Sequence, residues 1–291
     1  MAEFLQILAS GLTVGAIYAL IGIGFSMIYN TSDIINFAQG EFVMIGGMSA
    51  VALSAGGAMP LVLAVPAAIA ITVVAGLAVE RLAIEPVRQS SLVTLIIITI
   101  GVSITIRGAV EILLGKNFYR LASFSGDAPV DIGGAQVNPQ AFWVVGSLLA
   151  VMAALAFFFN RTRLGKAMLA TAQNRLAAEL MGIDVKNILR LSFALSALLG
   201  ALAGVLTAPI TLTRYDVGIM LGLKGFCAAI LGGLGTATGA LAGGVLLGLT
   251  EAMAAGYVSS AYKDAVAFLL ILAVLVLKPS GLFGRRAVHR V

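Results

Sequence analysis

Long apolar runs dominate this chain, and their lengths predict an all-α protein that crosses a membrane many times. Nine such runs are present, at residues 5–29, 37–55, 60–82, 91–114, 140–160, 188–208, 217–234, 237–257 and 262–278. A helix of about 20 apolar residues spans a hydrocarbon core about 30 Å thick. The pattern therefore predicts one polytopic transmembrane domain over residues 1–291, with about eight or nine membrane segments.

Two of the apolar runs are interrupted, and we expect these segments to be broken or re-entrant. The glycine and polar positions of the first interruption are Asn36, Gln39, Gly40 and Glu41. Those of the second interruption are Gly232, Gly233 and Gly235. Interrupted segments at corresponding positions of two halves point to a substrate path near the middle of the membrane. These seven residues are therefore the candidate substrate path.

A weak internal echo suggests two related halves. The pairs Gly11-xxx-Gly15 and Gly200-xxx-Gly204 begin 189 positions apart (11 to 200), as do Phe37 and Phe226 (37 to 226). Small residues four apart, as also at Ala240, Gly244 and Gly248, are typical of helix-packing faces in membranes. We interpret the stripes as packing faces and keep two pseudo-repeats as a hypothesis.

Between the fifth and sixth runs lies a basic, amphipathic segment, which we call the basic island (161–187). Six of the 18 lysines and arginines lie between Arg161 and Arg190. Apolar positions recur at the spacing of one helical face, at Leu169, Ala172, Leu176, Leu180 and Ile183. Gly182 suits a helix C-terminus and Asp184 suits the cap of the next helix. We predict one short surface helix, which either docks a protein or rests on lipid headgroups.

The basic residues also predict which side of the membrane each loop faces. Twelve of the 18 lysines and arginines fall on the side of the island and the C-terminal tail, and six fall in the spans or on the opposite side. Because short basic loops stay in the cytoplasm, the island and the C-terminus are predicted to be cytoplasmic and the loop 115–139 external. If all nine runs cross, the N-terminus is external. The first run has no basic residue before it, so it is expected to be a span and not a cleavable signal peptide.

Composition excludes several classes of function. Hydrophobic residues make up 60% of the chain and charged residues 11%, far from the roughly 25% charged residues of soluble domains. The one histidine, His289, lies in the tail, which argues against a metal site and against a histidine-based catalytic triad. The sequence around Gly233 lacks the Gly-Lys-Ser/Thr element of a phosphate loop. We therefore expect neither an enzyme nor a cofactor-binding protein. The net charge of +5 is explained by membrane orientation, so no nucleic-acid partner is expected.

Charged residues inside the apolar runs are expensive, at roughly 2.5–3.5 kcal/mol each on insertion scales. Glu41 is expected either to face the bundle interior or a water-filled cavity, or to cap a broken helix end near the interface. Arg107 and Glu111 lie four residues apart and are expected to pair on one helical face. Glu251 needs a partner that the sequence does not identify.

Several segments together resemble the smaller membrane permease of bacterial ABC importers for branched-chain amino acids, over essentially the full length. They are Gly11 to Leu20 (GLTVGAIYAL), Ile34 to Glu41 (IINFAQGE), Ile84 to Arg88 (IEPVR), Ala172 to Asp184, and Lys278 to Gly284 (KPSGLFG). The family commonly has histidine at the position of Gln39, a departure that argues against a proton relay there.

The resemblance implies a bacterial inner-membrane subunit that works with a second related permease, two cytoplasmic ATPases and an external solute-binding protein. ATP would be bound by the partners, and this chain would contact membrane lipid. The substrates implied are leucine, isoleucine or valine, with other amino acids, urea and short amides also served by the family. The predicted ATPase-coupling residues are Lys166, Leu169, Ala172, Leu176, Ala177, Ala178, Leu180, Gly182 and Asp184.

Two other classes stay open at this point. An ion-coupled secondary transporter of small solutes would need an ion site built from the few intramembrane charges. A membrane scaffold without transport activity would leave the interrupted segments unexplained.

Overall fold

The computed structural model describes residues 2–88 and 90–284 of the chain. Within these residues it contains eleven α-helices and one small antiparallel hairpin. The helices are α1 (Ala2–Ser32), α2 (Gln39–Ser54), α3 (Leu61–Val79), α4 (Leu92–Leu114), α5 (Gln140–Arg161), α6 (Arg163–Gln173), α7 (Arg175–Leu180), α8 (Val185–Thr207), α9 (Val217–Gly232), α10 (Ala237–Tyr257) and α11 (Lys263–Leu277). The strands are β1 (Val130–Ile132) and β2 (Ala135–Val137), with Val130 opposite Val137.

Each of the nine apolar runs forms a helix, which confirms the prediction of an all-α polytopic membrane fold. Seven helices among the described residues are long and apolar enough to cross a membrane. The remaining two runs form shorter helices, α9 with 16 residues and α11 with 15. The hairpin lies inside the predicted loop 115–139.

The helical bundle has two opposite ends. At the hairpin end, β1 and β2 lie beside the start of α1, and Tyr119 forms a backbone bridge with Thr213. At the island end lie α6, α7 and the segment 278–284. The 22 residues of α5 join the two ends, a length of about 33 Å at 1.5 Å per residue.

The centre of the bundle is built from α1 and α8. In each of them, 67% of the most apolar 18-residue stretch is buried, against 17% in α4 and α5. The exposed side chains of α4 and α5 are mainly apolar, as expected for a surface that meets lipid tails. The largest groups of buried polar side chains lie on α1, on α8 and at the start of α2.

Small residues hold α1 and α10 together in an antiparallel pair. A Cβ on Gly15 would stand 2.8 Å from the carbonyl oxygen of Gly244, and one on Gly244 would stand 2.5 Å from the backbone nitrogen of Ala19. Side chains at these positions would force the helix axes apart. The interpretation of the small-residue stripes as packing faces is confirmed for this pair.

The chain breaks between α1 and α2, inside the first predicted interruption. Asp33 has a φ of 58°, and the following residues turn back along α1 until Gln39 meets Gly24. Gly24 precedes the end of α1 by eight residues, which corresponds to about 12 Å of helix. α2 therefore begins inside the bundle and not at its surface.

A second helix also begins inside the bundle. After α8, residues 208–216 turn back from the hairpin end, and Gly218 in the first turn of α9 lies against Gly40. A Cβ on Gly218 would stand 2.5 Å from the carbonyl oxygen of Gly40, and one on Gly222 would stand 2.9 Å from its Cα. We call Gly40, Gly218 and Gly222 the glycine junction. It brings the starts of α2 and α9 together inside the protein.

The basic island forms two helices, so the prediction of one surface helix is wrong. Asn174 separates α6 from α7, with an extended φ of −157°, and its Oδ1 accepts a hydrogen bond of 2.9 Å from the Ala177 nitrogen. Asparagine competes for backbone groups in this way and so starts a new helix. The predicted turn that follows is confirmed: Gly182 has a φ of 82°, and Asp184 caps α8 through the Lys186 and Asn187 nitrogens at 3.0 and 3.2 Å.

Candidate substrate path and coupling surface

Glu41 lies in the first turn of α2 and is almost completely buried, with 1% of its surface exposed. Its Oε1 accepts a hydrogen bond of 2.7 Å from the Ser103 hydroxyl and lies 3.6 Å from the Arg107 guanidinium. Of the two expectations for this residue, the interior position is confirmed.

The predicted pair between Arg107 and Glu111 is wrong. Arg107 points to Glu41, whereas Glu111 pairs with Lys116 at 2.9 Å. Leaving the buried carboxylate of Glu41 unpaired would cost more free energy than leaving Glu111 unpaired at the end of α4. The pair of Arg107 with Glu41 is therefore more stabilising than a pair of Arg107 with Glu111 would be.

One face of α4 is polar where it meets the start of α2. Thr99, Ser103 and Arg107 follow one another at four-residue spacing, and the Thr99 hydroxyl accepts a hydrogen bond of 3.2 Å from the Phe37 nitrogen. Thr99 and Ser103 were not among the site residues predicted from the sequence. The signal was present, because residues four apart share one helical face.

Two buried polar atoms at the start of α2 have no hydrogen-bond partner among the described residues, the Oε2 of Glu41 and the Nδ2 of Asn36. Asn36 uses its other amide atom, Oδ1, to accept from the Ala38 nitrogen at 3.1 Å. Buried polar groups are normally paired. The start of α2 therefore presents two buried polar atoms to which a ligand or a water molecule could bind.

A cavity of about 160 Å³ opens beside Glu41. Its walls come from α1, the start of α2, α4 and α9, and its lining is Phe25, Phe37, Glu41, Ile100, Ser103, Gly218, Ile219, Gly222, Leu223 and Phe226. The Phe226 ring centroid lies 5.4 Å from that of Phe25 and 5.7 Å from that of Phe37. We call this space the Glu41 cavity. It is apolar apart from Glu41 and Ser103.

A charged pair, Arg214 and Asp216, precedes the glycine junction. It lies outside the spans, on the side of the hairpin end. The Asp216 carboxylate accepts hydrogen bonds from Arg214 and thereby raises the pKa of the guanidinium. The same guanidinium lies 4.6 Å from the ring centroid of Phe118. These contacts join the turn before α9 to the loop 115–139.

Gln39 belongs to the interface between α2 and α8 and does not line the Glu41 cavity. It is fully buried, and its Nε2 donates a hydrogen bond of 3.1 Å to the Ser196 carbonyl. The Ser196 hydroxyl also donates 2.8 Å to the Gly24 carbonyl. Gln39 thus links three central helices.

The second interruption lies far from the first. Gly232 ends α9 fourteen residues after Gly218, a separation of about 21 Å along the helix. The carbonyl of Gly235 accepts a hydrogen bond of 2.6 Å from Asn30, and the carbonyl of Gly232 accepts one of 2.9 Å from the Phe283 nitrogen. A Cβ on Gly233 would stand 2.5 Å from the Gly284 nitrogen. Gly232, Gly233 and Gly235 therefore lie at the island end, and the structure does not bring them to Glu41.

A second buried charge cluster joins α9, α10 and α11. Lys224 lies 2.8 Å from Glu251 and 2.6 Å from Asp264, and Glu251 also accepts 2.8 Å from the Tyr18 hydroxyl. Lys224 and Glu251 are only 6% and 5% exposed. The expectation that Glu251 needs a partner is confirmed.

The predicted coupling residues lie on α6, α7 and the turn before α8. Leu176 is 67% exposed, Leu180 80% and the neighbouring Met181 83%, so α7 presents apolar side chains to the outside. Lys166, Leu169, Ala172, Ala177, Gly182 and Asp184 are also exposed. Ala178 is buried and packs inward.

A cleft of about 720 Å³ separates α7 from the turn between α3 and α4. Charged residues line both sides, with Glu85 and Arg88 on the turn and Arg175 and Glu179 on α7. Arg190 on α8 joins the turn through Glu85 at 3.1 Å and Glu80 at 3.5 Å. We call α7 and this cleft, which lie at the island end, the coupling surface, after the role that the sequence predicts for these residues.

Comparisons with known proteins agree with this architecture. The sequence model of the family described as "Branched-chain amino acid transport system / permease component" matches residues 7–275. The chain is 36% identical to the high-affinity branched-chain amino acid transport system permease protein LivH of Escherichia coli K12, over 99% of this chain and 98% of that protein. It is also 36% identical to the corresponding protein BraD of Pseudomonas aeruginosa, with the same coverage.

Among solved structures, the fold is similar to that of PsaBC from Streptococcus pneumoniae in complex with Fab. The TM-score is 0.51 at 14% identity, covering 95% of this chain and 91% of that one, which supports the fold alone. The matches to the family model and to LivH and BraD extend over nearly the whole sequence. The chain therefore belongs to the branched-chain amino acid transport system permease family.

Proposed function

We propose that this protein is the permease subunit of an ATP-driven importer for branched-chain amino acids, and that it forms one side of the translocation path. The observation that carries the proposal is the full-length similarity to LivH and BraD, both described as permeases of high-affinity branched-chain amino acid transport. The Glu41 cavity supports it, because an apolar space of this size beside one charged group suits a small amino acid with an aliphatic side chain.

The path is proposed to pass Asn36, Gly40 and Glu41, where two helices begin inside the bundle. The cavity opens between α4 and α9, where Ile100 and Ile219 are 42% and 38% exposed. A second, related permease placed against these helices would close the cavity and supply its other wall. Gly232, Gly233 and Gly235 would belong to the island-end exit of this path.

The island end is proposed to face the cytoplasm and to contact the ATPases, two of which are expected in the assembly and hydrolyse ATP. α7 offers the exposed apolar side chains of Leu176 and Leu180, and charged residues flank them. The tight turn at Gly182 and the cap at Asp184 connect α7 directly to α8. α8 in turn holds the start of α2 through Ser196 and Gln39, so a push on α7 has a continuous packed route to Glu41.

The hairpin end is proposed to face outward and to receive the solute-binding protein through the loop 115–139. This loop is connected to the turn before α9 by the bridge between Tyr119 and Thr213. Docking there would therefore act on the same junction from the other side.

Transport by the reconstituted assembly tests the proposal. Permeases, ATPases and binding protein in liposomes should accumulate labelled leucine, isoleucine or valine only with ATP inside the compartment that holds the ATPases. This chain alone should accumulate none. Accumulation by the chain alone under an ion gradient would instead establish the secondary-transporter alternative.

The coupling surface is tested separately by replacing Leu176 and Leu180 with aspartate. We expect the ATPases to be lost on purification while membrane insertion is unchanged. A matched control places aspartate at Ile132, which is 47% exposed in the hairpin at the opposite end and should change neither membrane insertion nor ATPase binding. Retention of substrate-stimulated ATP hydrolysis by the Leu176/Leu180 variant would refute the coupling assignment.

A further inference from the structure

We infer that the Glu41 cavity is a binding site for a whole α-amino acid, with the Oε2 of Glu41 accepting the α-ammonium group. The inference rests on the proposed function and adds to it a specific site and a chemical selectivity. The two oxygens of the Glu41 carboxylate differ in their pairing. Oε1 is occupied by Ser103 and Arg107, whereas Oε2 is buried and has no hydrogen-bond partner among the described residues.

Gly218 lies next to Oε2, with no side chain between its backbone and this atom. A Cβ on Gly218 would stand 3.0 Å from Oε2, so any other residue there would cover this atom. Because the glycine junction belongs to the starts of two helices, a small rotation of α9 against α2 changes access to Oε2. A buried acceptor beside an adjustable opening is suited to a donor that arrives and leaves.

The remaining lining matches the rest of an aliphatic amino acid. The rings of Phe25, Phe37 and Phe226 form an apolar wall around about 160 Å³. An apolar cavity of roughly 150 Å³ is large enough to hold benzene, which is close in size to a branched four-carbon side chain.

Charge balance favours a zwitterion over a simple cation. Glu41 and Arg107 already form a neutral pair, and a free charge added at this depth is expensive. A zwitterion adds no net charge, and its carboxylate would lie toward the start of α9, where the helix dipole favours negative charge. The site therefore requires the ammonium group at Glu41 and tolerates the carboxylate beside it.

The test measures ligand binding by the whole permease–ATPase complex in nanodiscs, without the solute-binding protein, so that the selectivity of that protein does not enter. Saturation-transfer NMR follows the methyl groups of L-leucine. 3-Methylbutylamine, which keeps the ammonium group but lacks the balancing carboxylate, should displace leucine less well than unlabelled leucine does, and 4-methylpentanoate, which lacks the ammonium group, should displace it at least about tenfold less well than the amine. Equal competition by the two analogues would overturn the inference.

Variants give the second readout. Glu41→Gln should weaken leucine binding at least about tenfold, which corresponds to the loss of one charge-assisted hydrogen bond. Glu111→Gln on α4 is the matched control and should bind leucine like the wild type. Binding by assembled Glu41→Gln at wild-type strength would also overturn the inference, and if this variant fails to assemble, the analogue competition on the wild type decides.

The outcome is separable from that of the proposed function. If the wild-type assembly with its binding protein imports leucine while the two analogues compete equally, only the assignment of Glu41 fails. If the wild-type assembly imports no branched-chain amino acid, the proposed function fails first.

Discussion

At the scale of single residues, the glycine junction makes the sharpest prediction. In Gly218→Ala, the new Cβ would stand 2.5 Å from the carbonyl oxygen of Gly40, and backbone atoms move only when the helices move. We expect overpacking to cost about 1–3 kcal/mol and to lower leucine uptake. Thermal unfolding of the purified complex and uptake in liposomes measure the two effects.

Gly101→Ala is the control for this prediction, because no atom lies within 4 Å of a Cβ at that position. Both glycines are in helices, so the gain in helix propensity is similar for the two variants. If Gly218→Ala behaves like Gly101→Ala in both measurements, the junction does not hold the starts of α2 and α9 together.

The buried cluster around Lys224 gives a second residue-scale prediction. Lys224→Met leaves Glu251 and Asp264 without their shortest partner, and breaking a buried ion pair typically costs about 3–5 kcal/mol. The added change Glu251→Gln should recover part of this loss because it removes the unpaired charge. Lys263→Met, at a lysine whose side chain is 45% exposed and 3.8 Å from Glu251, should have a small effect. Denaturation of the wild type and the three variants side by side measures these effects. If the double variant recovers none of the lost stability, this account is wrong.

Some of these residues could be predicted from the sequence, but their partners could not. Glu41 and Glu251 could be identified as buried charges because a charge within an apolar run is costly. Their partners lie 66 residues away for Arg107 and 27 residues away for Lys224, on helices whose relative positions the sequence does not specify. Local spacing therefore paired Arg107 with Glu111, which was wrong. Phe25 and Phe226 line one cavity only because α1 and α9 pack together.

At the scale of elements, the connection between α7 and α8 makes a testable link to coupling. Gly182 has a φ of 82°, and no neighbouring atom lies within 4 Å of a Cβ built there. Gly182→Ala should therefore cost about 1–2 kcal/mol through backbone conformation alone. We expect it to reduce the stimulation of ATP hydrolysis by the loaded binding protein while ATPase subunits remain bound.

Asp184→Ala tests the same connection from the other side of the turn. Loss of the α8 cap should cost about 1 kcal/mol and should also reduce stimulation. Ser91→Ala serves as the control, since it removes a similar cap, that of α4, where the Ser91 hydroxyl accepts a hydrogen bond of 3.2 Å from the Thr94 nitrogen. Full stimulation in both Gly182→Ala and Asp184→Ala would show that this turn does not transmit motion.

The helices were the most predictable feature of this protein. All nine helices that follow the apolar runs were expected, because about 20 apolar residues in a row leave few alternatives in a membrane. The two helices of the basic island were harder to predict, since its apolar positions fit one continuous helical face although Asn174 interrupts the helix. The side chain of Asn174 competes with the helix at that point, and periodicity alone does not register such competition.

At the scale of the whole molecule, the packing order connects the two ends through a small number of contacts. The island turn leads to α8, α8 holds Gln39, and the next residues form the glycine junction. The loop 115–139 reaches the same junction through Thr213. The sequence indicated breaks in the second and the seventh runs, but only the tertiary structure shows that the starts of α2 and α9 meet. Communication between the ends is therefore expected to pass through Gly40 and Gly218.

The orientation of the molecule makes the last prediction. Ala122 lies in the loop at the hairpin end and Gln173 lies at the end of α6, and both are exposed. In a Cys227→Ser background, Ala122→Cys should react with a membrane-impermeant maleimide on intact spheroplasts. Gln173→Cys should react only after the membrane is made permeable, because the basic island is retained in the cytoplasm. Glu3→Cys at the start of α1 should behave like Ala122→Cys, since the start of α1 lies beside the hairpin. The reverse pattern would place the ATPase surface outside the cell and remove the basis for ATP-driven coupling through α7.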